Sequence, residues 1–98
     1  MTDIFERLVE QGIQILPLPE ISTHFVFERG GFIALVERRG ESFGKMGAPG
    51  LLMEKGMAQL VWRGESAFFV AKGWERVADA EEVTALRAFG ADLEKILR

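Results

Sequence analysis

A chain of 98 residues, 48% apolar and 28% charged, makes one globular domain with a single modest core, and leaves no room for two. Twelve basic against fifteen acidic residues, a net charge of -3, form no dense basic run, so the electrostatic footprint of a nucleic-acid binder is missing. With no cysteine there is no disulfide framework, no thiolate nucleophile and no cysteine zinc site.

At the start of the chain, Asp3, Glu6, Arg7 and Glu10 interrupt any apolar run, so this stretch does not read as a secretory signal. No later stretch approaches the apolar length of a membrane span, and the expected location is the cytoplasm. Asp3 and Glu6 fit a capping box. Ile4, Phe5, Leu8 and Val9 form a one-sided stripe that stops at Gly12, which predicts a short amphipathic helix over residues 3–11.

Residues 13–20, IQILPLPE, carry two prolines at spacing two, a pattern that forbids helix and predicts an extended, polyproline-like connector. Residues 23–39, THFVFERGGFIALVERR, hold two β-rich runs joined at Gly30-Gly31, the signature of a hairpin with a type I′ turn. Residues 57–73, MAQLVWRGESAFFVAKG, repeat that logic. Here Gly64-Glu65 predicts a type II′ turn, pairing residues 57–63 with residues 66–72. When Arg29 is laid on Arg63, Gly30 falls on Gly64 and Val36 on Val70, so the two hairpins share an apolar-Arg-Gly turn layout of the kind an ancestral repeat leaves.

Between the hairpins, residues 40–56 contain five glycines and a proline. An unstructured connection of that length is unusual in a small domain, so residues 51–55 are expected to form either one helical turn or a short extra strand. After Gly73 a lead-in, WERVADAEEV, reaches a second capping box at Asp79 and Glu82. Val83, Leu86, Phe89, Leu93, Ile96 and Leu97 then follow at helical spacing, predicting an amphipathic helix over residues 80–97, with Gly90 marking a close approach to a neighbouring backbone.

These elements define an α+β fold within a single domain, residues 1–98: a four-stranded antiparallel sheet from two consecutive hairpins, a short N-terminal helix and a C-terminal amphipathic helix. Strand parity puts Phe25, Phe27, Ala34 and Val36 on one face of the first hairpin and Val26, Ile33 and Leu35 on the other. In the second hairpin Val61, Phe68 and Val70 oppose Ala58, Leu60, Trp62, Ala67, Phe69 and Ala71. Both faces are apolar. If both helices cover one face, the other is left for a connector or a second copy, which points to a homodimer; one helix per face needs no partner.

Candidate chemistry is sparse. Gly40 to Lys45 has one residue too few for a P-loop, and Met46 stands where a Ser or Thr belongs. His24 is the only histidine and faces Glu37 across the first hairpin, more often a half-exposed strand pair than a catalytic one. Arg38, Arg39 and Lys72 gather at strand ends, where charge commonly guards a sheet edge. Trp62 reads as core and Trp74 as an edge aromatic.

No catalytic, metal-ligating or cofactor-binding residue is assigned, no cofactor is expected, and nucleic-acid and membrane partners are not expected. The primary reading is a non-enzymatic interaction module that self-associates through an apolar sheet face carrying Phe69, or meets a protein partner at the Trp74 edge. The alternative is a small-molecule-binding or catalytic domain, with a pocket under residues 40–56 and His24, Arg38, Arg39 or Lys45 as polar contacts. The scarcity of histidine, tyrosine and cysteine weighs against an enzyme.

Overall fold

The computed structural model describes residues 3–17, 22–54 and 56–97. Helix α1 (Ile4–Glu10) leads into strands β1 (Gln14–Leu16), β2 (His24–Arg29), β3 (Phe32–Arg39), β4 (Ser42–Met46), β5 (Gly50–Met53), β6 (Gly56–Arg63), β7 (Ser66–Ala71) and β8 (Trp74–Val77), and helix α2 (Ala80–Leu97) follows. The class is α+β with an antiparallel sheet, as the pattern predicts, but the sheet has eight strands and curls into a half-barrel.

Both predicted hairpins form, the second over residues 59–63 with 66–70 rather than 57–63 with 66–72. His24 faces Glu37 and Arg29 faces Phe32 around Gly30-Gly31, whose φ angles of 61° and 90° are the paired left-handed values that a type I′ turn demands. Arg63 faces Ser66 around Gly64, which is left-handed at φ 66° while Glu65 is not, the sign pattern of a type II′ turn.

The four additional strands correct the expected sheet. Part of the proline connector pairs with β2 as β1, Gln14 opposite Glu28 and Leu16 opposite Val26; residues 18–20 of that connector lie outside the described residues. The glycine-rich stretch resolves into strand rather than helix, giving β4 and β5, while residue 55 lies outside the described residues. The lead-in WERV is β8, paired with β7 from Ala71–Trp74 to Phe68–Val77.

Seven strands run in the order β1-β2-β3-β5-β6-β7-β8, and β4 lies beside β3 off that path. Strand β3 therefore serves two partners along one edge. Phe32 and Ile33 pair with β5, while Val36, Arg38 and Arg39 pair with β4 across a register shift. Strand β6 pairs with β5 through residues 56–59 and with β7 through residues 59–63. The sheet thus forks into one arm of β1 to β4 and another of β6 to β8, joined through β5.

Both helices lie on one face of this sheet. Phe27, Ala34, Val36, Ala58, Ala67 and Phe69 pack there with Val83, Leu86, Phe89, Leu93 and Ile96 of α2 and Leu8 of α1. Burial of these side chains is the main stabilising term, since each valine, leucine, isoleucine or phenylalanine among them contributes about 1.5–3 kcal/mol when fully covered. Helix α1 closes in a Schellman motif, Gly12 N donating to Val9 O and Ile13 N to Leu8 O, which brings Ile13 into the same core. The start of α2 is a complete capping box: Glu82 N donates to Asp79 Oδ1 at 2.8 Å and Asp79 N to Glu82 Oε1 at 3.1 Å. Gly90 meets the side-chain ring of Pro49 rather than the backbone that its place in the helix predicts, and the ring's Cγ would stand 3.0 Å from an added Cβ.

Trp62 departs from its expected place in the core. It shares the helix-side face but is 48% exposed near the turn, with the Arg87 guanidinium 5.4 Å from its ring. The two hairpins also differ in what they bury. The alignment that lays Arg29 on Arg63 places Phe27, Ala34 and Val36, all wholly buried under the helices, on Val61, Phe68 and Val70, which belong to the opposite face. Similar turns are set here in hairpins of opposite facing.

Candidate functional site: a trough between the two arms

The face away from the helices carries two apolar cross-strand rows, one on each arm. Register places Leu16, Val26 and Leu35 side by side across β1, β2 and β3, and Val61, Phe68 and Val77 across β6, β7 and β8. Val26 is buried at 2% exposure, whereas Val61 and Val77 are 36% and 61% exposed. Leu52 and Met57, paired between β5 and β6, add apolar surface at the fork.

Where the arms diverge the surface sinks into a depression of about 330 Å³. His24 and Glu37 line it from β2 and β3, Lys45 from β4, and Gln59 from β6; Leu35, Ala48 and Met57 supply its apolar part. Glycine shapes this region. Gly50 has no room for a side chain, since a Cβ would come within 2.4 Å of Ala58 O and 2.7 Å of Met57 Cγ, so β5 and β6 close tightly beneath. Gly44 lies under the Glu37–Arg39 ion pair, and a Cβ there would stand 2.8 Å from Arg39 Nε and 2.9 Å from Glu37 Oε1.

The electrostatics follow from those contacts. The hydrogen bond and charge of Arg39 hold the Glu37 carboxyl below the usual carboxylate range, and His24 and Lys45 add smaller pulls in the same direction. Glu37 is therefore ionised at neutral pH and poorly suited to carry a proton in catalysis. His24 Nδ1 lies 2.8 Å from Thr23 Oγ1, and its Nε2 has no hydrogen-bond partner among the described residues. Lys45 makes no ion pair among the described residues. Arg39 and Lys45 against Glu37 give the trough one surplus positive charge before His24 is counted.

The structure thus brings together His24, Lys45 and, through Glu37, Arg39. It separates the other residues singled out in the sequence. Arg38 stacks on Phe25, 4.0 Å from the ring centroid, on the helix-side face. Phe69 is wholly buried beside Phe32, with ring centroids 6.1 Å apart, and offers nothing to a partner. Trp74 starts the edge strand β8 at 37% exposure. Gln59 and Met57 carry no local signal in the sequence, because only the pairing of β5 with β6 brings them to the trough. Among the described residues no group of three or more histidine, aspartate or glutamate side chains is placed to hold a metal ion, and no helix is long and apolar enough to cross a membrane.

Against known proteins, the chain matches no family model, no curated protein and no solved structure.

Proposed function

We propose that this chain is a non-enzymatic protein-interaction module that self-associates through the sheet face opposite its helices. The observation behind this reading is the row Val61, Phe68 and Val77, partly exposed on a face that neither helix covers. A contiguous exposed apolar patch marks an interaction surface, and a closed two-fold dimer is its commonest outcome. Two such faces pack about 10 Å apart in a sandwich, which suits rows of valine, leucine and phenylalanine. Phe69 plays no part in that surface, and the contact residues shift to the outward row.

The test is the solution mass by light scattering on a sizing column across a tenfold dilution. Twice the chain mass is expected for the native protein, falling to the chain mass in Val61→Asp, with the folded circular dichroism spectrum kept. A native protein at the chain mass throughout would overturn the reading.

A further inference from the structure

The trough has a chemistry that self-association does not use. Polar groups from four strands converge on it, yet Glu37 is already neutralised by Arg39. What remains open is a cation, Lys45, with His24 Nε2 and the Gln59 amide, all beside the apolar patch of Leu35, Ala48 and Met57. A volume of about 330 Å³ lies at the small end of ligand sites, which span about 300–1,000 Å³. A convergent set of donors beside a short apolar wall matches a small amphipathic anion.

We infer that the trough binds a small monocarboxylate with a short apolar tail. The carboxylate lies against the Lys45 ammonium, with His24 and Gln59 as hydrogen-bonding neighbours, and the tail rests on Leu35, Ala48 and Met57. A cationic ligand of the same size is disfavoured because Glu37, the only acid among the described residues of the trough, already has a partner in Arg39. A neutral one leaves Lys45 without a counter-charge. This inference does not rest on the dimer.

The experiment is a titration of sodium hexanoate into isotopically labelled protein, read by amide shifts, beside hexanol and hexylammonium. It is run on the native chain and on Val61→Asp, with the mass of each measured in the same buffer. Saturable shifts at the Lys45, Gly47, Ala48 and Gln59 amides are expected with hexanoate. Lys45→Ala, at an exposed position, should keep the folded spectrum and weaken hexanoate roughly threefold or more, the scale of one exposed charge contact.

A response in Val61→Asp but not in the native dimer would also support the site, placing it beneath the second copy. No saturable response in either protein, equal binding by Lys45→Ala, or tighter binding of hexanol or hexylammonium would overturn it. A native monomer that binds hexanoate defeats the dimer alone, and a dimer with no response in either form defeats the trough alone.

Discussion

Arg29 Nη1 stands 3.0 Å from Asp92 Oδ2, joining the end of β2 to the last turns of α2. The same nitrogen donates to Gln11 O at 3.1 Å, and the guanidinium lies 5.6 Å from the centre of the Phe89 ring. One side chain thus ties the end of α1, the sheet and α2 together. Arg29→Met should lower stability by about 1–2 kcal/mol, because a carbonyl contact and a ring contact are lost with the ion pair. Asp92→Asn, which removes only the partly exposed pair, should cost less than about 1 kcal/mol. Urea unfolding midpoints of the two variants decide the order, and equal losses would show that the ion pair alone matters.

Gly90 is buried against the Pro49 ring. Gly90→Ala should be close to neutral, because a gain of roughly 1 kcal/mol in helix propensity is offset by the tight contact with Pro49. Gly90→Leu has no such room and should destabilise by about 1–3 kcal/mol through overpacking. Thermal unfolding of both variants reads the difference, and a stable Gly90→Leu would refute the close approach.

At Gly50 the obstacle is backbone, since Ala58 O would lie 2.4 Å from a new Cβ. Gly50→Ala should therefore cost about 1–3 kcal/mol and raise hydrogen exchange in β5 and β6 ahead of β2. Unchanged protection across β5 would contradict this packing.

Glu82 accepts hydrogen bonds from both terminal guanidinium nitrogens of Arg76, at 3.0 and 2.8 Å, and caps α2 as well. The Arg76 hydrogen bond leads the causes that hold its carboxyl below the usual range. A carboxyl with a lowered folded value stabilises fully above its unfolded value, about 4.3 for glutamate, and the contribution fades as pH falls through the folded value. The stability gap between the native chain and Glu82→Gln should be flat from pH 7 to 5 and shrink below about pH 4. A gap that widens on acidification would reverse the sign of this coupling.

The helices and the two central hairpins were legible because each rests on local chemistry: caps at Asp3 and Asp79, stripes at helical spacing, and glycine pairs between β-rich runs. Strand β4 was equally signalled. Arg39-Gly40-Glu41-Ser42 repeats Arg63-Gly64-Glu65-Ser66, and both segments form two-residue hairpin loops with left-handed first glycines. What hid β4 is its composition, with Gly44 in mid-strand because the Glu37–Arg39 pair lies over it. Strands β1 and β8 were hidden for a different reason. They are short edges, and every residue of WERV is exposed, so no apolar alternation marks it.

Parity assigned Trp62 to the correct face but not to the correct depth, because how far α2 reaches along that face is a tertiary property. In the site, the facing of His24 and Glu37 followed from turn length alone. The approach of Lys45 and Gln59 depends on the register shift opposite Val36 and Arg38 and on the fork, neither of which leaves a local trace.

A strand with two partners on one side gives this sheet a third rim. Besides β1 and β8, the outer side of β4 ends the ladder, and such borders are where chains of one kind template each other into aggregates. Each border is kept short, at 3, 4 and 5 residues for β1, β8 and β4. The irregular register beside β4 and the charge of Lys45, like Glu75 and Arg76 on β8, further spoil a straight, sticky template. Colloidal stability in this chain thus rests on the smallest strands, and lengthening any of them with valine or threonine would invite fibrous growth.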